Sequence, residues 1–115
     1  MKMNLELFLS GEFPHNTWIK ERNIAIYIRK SVRLIGEKTY PCLDIGSVEV
    51  NEKHRGQGIF TSFLKRFEQE AKKLNRGVFV ENIFNKRLLQ HLLSHGYALV
   101  PRTSEITPCV FNLLA

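Results

Sequence analysis

The clearest pattern in the chain is an alternation of apolar and polar residues that begins at residue 24. The apolar side chains stand at even positions: Ile24, Ile26, Ile28, Val32 and Leu34. This period of two is typical of a β-strand with one buried face. Residues 36–39 are polar and include a glycine, which predicts a turn. A second strand over residues 40–50 would then pair with the first as an antiparallel hairpin.

The second strand changes parity partway along. Leu43 and Ile45 are apolar at odd positions. Val48 and Val50 are apolar at even positions. Keeping both pairs on one face requires one extra residue, so we predict a β-bulge at Gly46-Ser47 that bends the strand and opens a gap beside it. A strand covered on both faces would be an alternative, because parity then carries no information.

Two amphipathic helices follow the hairpin. Apolar residues at positions 60, 63, 64, 67, 71 and 74 form one stripe, which predicts a helix that ends at Gly77 in a left-handed conformation. Asn85 is expected to cap a second helix over residues 86–95, which Gly96 terminates. Further strands are predicted over residues 78–80, 97–100 and 108–113.

The first 23 residues are harder to interpret. Leu5, Leu7 and Leu9 alternate as in a short strand, and residues 15–22 are predicted to form a helical stretch around Trp18. From residue 24 the order is strand, strand, helix, strand, helix, strand, strand. This order, in a chain of 115 residues, favours a single α/β domain covering residues 1–115.

Composition limits the class of protein. Hydrophobic residues make up 43% and charged residues 24%, as in an ordinary globular domain. Cys42 and Cys109 belong to no CxxC pair, so we expect no metal site; they read as free thiols in a reducing compartment, with a single disulfide as the alternative. No window approaches ~18 apolar residues and no signal peptide is recognisable. We therefore predict a cytoplasmic protein without a membrane span.

The formal net charge is +6. Such a surface favours a polyanionic partner, whether nucleic acid, an acidic protein or a phosphorylated cofactor. An aid to solubility is the simpler interpretation. The basic residues are dispersed rather than gathered in one run, which argues against a disordered basic tail.

The segment between the hairpin and the first of these helices carries the candidate chemistry. Residues 50–64 read V-N-E-K-H-R-G-Q-G-I-F-T-S-F-L. A helix start presents unpaired N–H groups and partial positive charge, and Gly56 and Gly58 let a ligand approach the backbone. His54 and Arg55 add positive character, so the turn is a candidate pyrophosphate site. It matches neither the P-loop nor the three-glycine dinucleotide signature.

This turn resembles the acyl-CoA-binding motif of the GNAT acyltransferases, R/Q-x-x-G-x-G/A after a strand that ends in valine. Val50, Arg55 and Gly58 match, whereas Phe60 stands where glycine or alanine is usual. Residues 85–97 read N-K-R-L-L-Q-H-L-L-S-H-G-Y and resemble a second family pattern, N-x-x-A-x-x-L-Y-x-x-x-G-F. There, the family's helix tyrosine is replaced by Leu92.

The resemblance implies a GNAT-like fold, a mixed and mostly antiparallel sheet flanked by helices, with acetyl-CoA or coenzyme A in the gap beside the bulged strand and no metal. The strand would contact pantetheine and the turn would hold the pyrophosphate. The implied cofactor-binding residues are Val48, Val50, Arg55, Gly56, Gln57, Gly58, Ile59, Phe60, Thr61 and Asn85.

The implied reaction is direct acyl transfer to an amine, with a carboxylate as general base. Glu81 and Glu49 are the candidates, and Glu81 is favoured because it precedes the Asn85 motif; each could instead be a solvated glutamate at a strand end. The family's tyrosine protonates the departing thiolate. Side chains that could substitute for it, or be merely structural, are His91, Ser94, His95 and Tyr97.

We therefore predict an N-acetyltransferase that uses acetyl-CoA on a primary amine. The chain is shorter than many family members, so an open, basic acceptor cleft is expected, suited to an acidic protein segment or aminoacyl-tRNA. The alternative is a non-catalytic GNAT-fold module that binds coenzyme A or a protein partner, motivated by Phe60 and Leu92. Direct nucleic-acid binding rests on net charge and has no motif of interleaved basic and aromatic residues to support it.

Overall fold

A six-stranded mixed sheet forms the centre of the chain. The computed structural model describes residues 4–11, 14–51, 53, 58–81, 83, 85–100 and 108–114. The elements are α1 (Leu5–Ser10), β1 (Asn16–Glu21), β2 (Ile24–Ile35), β3 (Lys38–Val50), α2 (Ile59–Lys73), β4 (Gly77–Val80), α3 (Lys86–Ser94), β5 (Ala98–Leu99) and β6 (Val110–Asn112). The strand order is β1-β2-β3-β4-β6-β5. Only the β3–β4 pair is parallel among these strands, so the predicted mixed, mostly antiparallel sheet is confirmed.

The predicted hairpin and its bulge are both present. β2 and β3 pair along their whole lengths, and the register shifts between Tyr27, which faces Ser47, and Ile28, which faces Ile45. Gly46 is therefore the extra residue. A Cβ atom there would lie 3.0 Å from Cδ2 of Tyr27, so the ring of Tyr27 lies against the bulge and would have to shift for any residue larger than glycine.

The bulge coincides with the place where β3 leaves β4. The parallel register joins Cys42 to Gly77 at one end and Ile45 to Val80 at the other. β3 then continues beside β2 to Val50. Since the described β3–β4 pairing stops where the bulge begins, the two strands diverge there and a groove opens between them.

One hydrophobic cluster joins one face of the sheet to all three helices. Alternate residues of β2 and β3 supply the sheet side, and the predicted apolar stripe of α2 packs against them. Members with at most 1% of their surface exposed are Leu5, Phe8, Ile19, Ile26, Ile28, Leu43, Ile45, Phe67, Ala71, Val78, Leu92 and Val110.

Both predictions for the first 23 residues are wrong. Leu5 to Leu9 lie in a helix, because Asn4 accepts a hydrogen bond from the N–H of Leu7 at 2.8 Å and caps the first turn. Residues 16–21 form a strand, because β2 offers an edge along which Asn16 to Glu21 pair in register. Here tertiary pairing outweighs an ambiguous local pattern.

One helix end also differs from prediction. α2 ends at Lys73, and Asn75, not Gly77, takes the left-handed conformation, with φ 56°. Gly77 begins β4, where a Cβ atom would lie 3.1 Å from the carbonyl oxygen of Asn112. The predictions for α3 are confirmed: Asn85 caps its start and Gly96, with φ 93°, follows its end.

The two cysteines are free thiols; Cys42 is buried and Cys109 is half-buried. Burial raises the pKa of the Cys42 thiol. Across the described ranges we find no cluster of His, Cys, Asp and Glu side chains able to hold a metal ion. Nor does any helix in those ranges have the length and apolar character needed to cross a membrane.

Candidate functional site

A groove of about 700 Å³ lies where β3 diverges from β4. Three elements form its walls: the end of β3, the first turn of α2, and one side of α3. The lining residues are Val48, Glu49, Val50, Gly58, Ile59, Phe60, Thr61, Asn85, Arg87, Leu88 and His91.

The first turn of α2 offers hydrogen-bond donors to this groove. Gly58 is the N-cap residue, in a left-handed conformation with φ 76°, and it has no side chain to occupy the N–H groups that follow. Its carbonyl oxygen accepts the N–H of Ser62 at 2.9 Å, so the donors before Ser62 precede the intrahelical ladder. The turn contains no acidic residue, and Lys72 and Lys73 lie in the last turn of the same helix. The turn is therefore suited to an anion.

The α3 wall combines a cap with a cationic side chain. Asn85 accepts hydrogen bonds from the N–H groups of Arg87 at 2.9 Å and Leu88 at 3.2 Å, so its side-chain oxygen caps the N-terminus of α3. Arg87 and His91 are four residues apart and line the groove together. Sequence reasoning did not select Arg87 or Leu88, although the spacing of three from Asn85 to Leu88 to His91 marks one face of the helix.

The groove brings together most of the residues predicted for the cofactor, and their roles remain predictions. Those that line it are Val48, Val50, Gly58, Ile59, Phe60, Thr61 and Asn85. Arg55, Gly56 and Gln57 lie outside the described residues.

Glu49 lines the groove and also a second, shallower pocket. This pocket, of about 370 Å³, lies at the turn between β1 and β2, and its lining includes Lys20, Ala25 and Glu49. Ala25 is the cross-strand partner of Glu49, and Glu49 is exposed. One carboxylate therefore borders two neighbouring concave surfaces.

Glu81 has a different environment. The described lining of the groove does not include it. Its Oε1 atom accepts hydrogen bonds from Arg29 and Arg33, and both arginines also bind Asp44, whose side chain is fully buried. Hydrogen bonding to Glu81 is the main cause that raises the pKa of Arg29. The four side chains form an ion-pair network in which the Glu81 carboxylate is already engaged.

The candidates for proton donor also separate. Leu92, at the position of the family's tyrosine, is fully buried in the core. Tyr97 is 4% exposed and donates a hydrogen bond to Glu68 at 2.8 Å, and its burial raises the pKa of the phenol. His91 is half-buried in the groove wall, with the His95 ring stacked on it at 4.1 Å between centroids. Of the four candidates, which are His91, Ser94, His95 and Tyr97, His91 is the one that lines the groove.

The fold is similar to that of solved acetyltransferases. A mutant of the toxin AtaT bound to the C-terminus of the antitoxin AtaR and acetyl-CoA matches with TM-score 0.57 at 18% identity over 77% of this chain and 57% of that chain. AtaT complexed with acetyl-methionyl-tRNAfMet matches with TM-score 0.59 at 15% identity over 77% of this chain and 61% of that chain. A histone acetyltransferase HPA2 and related acetyltransferase from Corynebacterium glutamicum matches with TM-score 0.62 at 11% identity over 93% of this chain and 70% of that chain.

These likenesses establish the fold. The chain has the GNAT fold, as the sequence motifs predict. It spans about three fifths of the length of the toxin structures that it matches. No protein-family model matches the sequence, and no curated protein matches it.

Proposed function

We propose that this chain is an N-acyltransferase that binds acetyl-CoA in the groove between β3, α2 and α3. The observation that carries the proposal is the first turn of α2, whose N–H donors open onto the groove beside the end of the bulged strand. Backbone N–H groups at a helix N-terminus bind pyrophosphate without a dedicated side chain. AtaT, which has a similar fold, is bound to acetyl-CoA in one solved structure, and this supports the choice of cofactor.

The cofactor would lie along the groove in two parts. The pyrophosphate would accept hydrogen bonds from the N–H groups of residues 59–61, and the pantetheine arm would pack along Val48 and Val50. Arg87, exposed on the facing wall, would attract the phosphates. Phe60 is half-buried, and its backbone N–H remains a donor despite the bulky side chain.

Glu49 is our choice of general base. It is exposed and lines the groove, so an amine could approach it from the neighbouring shallow pocket. The Glu81 carboxylate is shared between Arg29 and Arg33, and a proton accepted there would weaken both ion pairs. These environments favour Glu49 over Glu81, reversing the preference drawn from sequence.

The proposed reaction is a single transfer. Glu49 removes a proton from the acceptor ammonium, directly or through water, and the neutral nitrogen attacks the thioester carbonyl carbon. A C–N bond forms, the C–S bond breaks, and the thiolate of coenzyme A leaves. The nitrogen loses its second proton as the amide forms, and this proton passes to the departing thiolate or to water. Since thiols have a pKa of about 8.5, the thiolate is a tolerable leaving group at neutral pH and the reaction can proceed without the family's tyrosine.

The acceptor is proposed to be an amine on a macromolecule, either an aminoacyl-tRNA or an acidic protein segment. The net charge of +6 favours a polyanion. AtaT in complex with acetyl-methionyl-tRNAfMet offers a precedent for the first class on a similar fold.

A second candidate function is a binding module without turnover. The buried Leu92 at the tyrosine position motivates it. The transferase requires acetyl-CoA in the groove, whereas the binding module would hold coenzyme A or a protein partner there. Only the transferase releases free thiol.

Two measurements test the proposal. Acetyl-CoA at about 100 times its Kd should stabilise the chain by about 2.7 kcal/mol and raise Tm by roughly 10 °C; the absence of any shift at millimolar acetyl-CoA would refute cofactor binding. Release of free thiol from acetyl-CoA in the presence of aminoacylated total tRNA or tRNA-free cell protein then separates the enzyme from the binding module.

A further inference from the structure

The face of the sheet opposite the hydrophobic cluster carries an exposed aromatic pair. Trp18 and Tyr27 are cross-strand partners on β1 and β2, with ring centroids 5.5 Å apart and planes inclined at 50°. Ile19 is buried on the other face, and successive side chains of a strand point to opposite faces. Trp18 is 39% exposed. An exposed indole supported by a second ring is a surface on which a flat ligand can stack.

Cations flank this pair along both strands. The guanidinium carbon of Arg29 lies 5.5 Å from the centre of the Tyr27 ring. Lys20, two residues beyond Trp18, is exposed on the same face. We call Trp18, Tyr27, Arg29 and Lys20 the aromatic platform. Its members alternate aromatic and basic side chains across two strands, an arrangement that the linear sequence does not display.

The platform is held in place from below. The Tyr27 ring lies against the bulge, where a Cβ atom at Gly46 would approach its Cδ2 atom to 3.0 Å. Arg29 is fixed by ion pairs to Asp44 and Glu81. Tyr27 and Arg29 therefore have limited freedom, and a ligand stacking on Trp18 would order few additional side chains, which favours binding.

The platform adjoins the proposed base. Lys20 pairs with Ala25 and Ala25 pairs with Glu49, which makes a row across three strands. The adjacent row joins Trp18 to Tyr27 and Tyr27 to Ser47. Rows that carry side chains on one face are about 7 Å apart along the strands. Trp18 lies on β1 and Glu49 on β3, so two strand spacings of about 4.8 Å also separate them, and a base stacked on Trp18 would lie about 12 Å from Glu49. A ribose with its ester and one aminoacyl group, about 3.5 Å along its backbone, is of roughly that length.

We propose that the aromatic platform binds a base at the single-stranded end of an RNA, and that this RNA carries the acceptor amine as an aminoacyl ester. The inference rests on the proposed transferase function and names its acceptor. Every nucleic-acid base offers a π face to an aromatic side chain, and a positively charged surface follows the phosphates. An acidic peptide would be attracted by Lys20, since Arg29 is already paired with Asp44 and Glu81, and would have no use for the exposed indole of Trp18.

The test uses the fluorescence of Trp18, because the sequence contains one tryptophan. The full chain, without acetyl-CoA, is titrated with a single-stranded RNA hexamer, with the same hexamer annealed into a duplex, and with a polyglutamate peptide. Stacking predicts saturable quenching by the single strand and much weaker quenching by the duplex and the peptide. Quenching by the peptide in preference to the single strand would overturn the proposal in favour of an acidic protein.

Variants separate stacking from general attraction to phosphate. With a fluorescein-labelled hexamer followed by anisotropy, Trp18→Ala should raise Kd about tenfold, and Trp18→Phe should restore most of the affinity. Leu34→Ala, which alters an exposed apolar residue at the far end of β2, is the matched control and should bind as the unaltered chain does. Circular dichroism verifies that each variant is folded.

The outcomes distinguish this inference from the proposed function. If Trp18→Ala binds the hexamer as tightly as the unaltered chain, binding is purely electrostatic and the platform is refuted. If acetyl-CoA raises Tm but RNA neither quenches nor binds, the acceptor assignment fails while cofactor binding stands. If RNA stacks on Trp18 and acetyl-CoA gives no shift in Tm, the transferase fails and the RNA site stands.

Discussion

Replacing each candidate base by its amide should separate catalysis from stability. Glu49→Gln is expected to slow thiol release by about 100- to 10,000-fold, the range typical of a lost general base. It should leave the free energy of unfolding within about 0.5 kcal/mol of the unaltered value, because Glu49 is exposed and exposed substitutions seldom cost more. Glu81→Gln should instead lower the free energy of unfolding and leave the rate of thiol release close to that of the unaltered chain.

The stability cost at Glu81 follows from its surroundings. Its side chain is 19% exposed, and those of its partners Arg29 and Arg33 are 29% and 31% exposed. Breaking a buried ion pair costs about 3–5 kcal/mol, whereas an exposed pair contributes about 0–1 kcal/mol. This half-buried pair of contacts lies between those limits, so we expect a loss of about 2 kcal/mol and a fall in Tm of roughly 8 °C.

Thermal unfolding followed by circular dichroism measures the change in stability of each variant. The change in catalysis is measured as the rate of thiol release, with aminoacylated total tRNA and tRNA-free cell protein as parallel acceptors. The rates are compared at a temperature where both variants are folded. A Glu81→Gln variant that unfolds like the unaltered chain but has lost its activity would refute the reasoning, since Glu81 would then be the base and the network dispensable. Full activity in both variants would mean that neither carboxylate is the base.

Three further predictions concern the groove and its surroundings. Arg87→Gln should weaken acetyl-CoA binding about fivefold, as expected for one exposed charge contact, whereas Lys86→Gln, next to it and outside the described groove lining, should bind normally in a thermal-shift titration. Leu92→Tyr should lower the free energy of unfolding by about 1–3 kcal/mol through overpacking of a fully buried site without raising the rate of thiol release; a faster variant would show that the buried position can still serve the reaction. The raised pKa of Tyr97 means that the folded chain keeps the phenol proton while the unfolded chain loses it above pH ~10, so the free energy of unfolding should fall there by up to ~1.4 kcal/mol per pH unit. Tyr97→Phe should therefore show a shallower pH dependence of unfolding between pH 10 and 11. An unchanged slope would contradict the assignment.

Much of the fold can be predicted from the sequence, because the bulge, the α2 helix and the start of α3 are each determined by residues close together in the chain. The parity change between Ile45 and Val48 predicts the bulge, since side-chain direction in a strand alternates whatever the partner. The stripe of α2 and the cap at Asn85 depend on residues within a few positions of each other. The first 23 residues give no such signal: Asn16 to Glu21 become a strand because β2 provides the edge, and that information lies elsewhere in the chain.

In the candidate site too, the features that depend on neighbouring residues were predicted, and those that depend on distant residues were not. The first turn of α2 was predicted from a glycine-rich segment at a helix start, a contiguous feature. Arg87 and His91 face the groove only because α3 is rotated so that Leu92 enters the core, and the rotation is set by packing. Ion pairing also changes the ranking of Glu81, whose partners Arg29 and Arg33 come from a strand about 50 residues earlier in the sequence.

The bulge connects the proposed cofactor groove to the proposed acceptor face. Without the extra residue at Gly46, the residues that follow would keep the parity of Ile45, and each would point to the opposite side of the sheet. Val48 and Val50 would then turn away from the groove and Glu49 would turn toward the hydrophobic cluster. With it, the valines face the proposed pantetheine while Glu49 shares a face with Trp18 and Tyr27. In the proposed transferase, this single glycine would therefore decide which side of the sheet receives the acyl donor and which receives the amine, and it would place the proposed base between them.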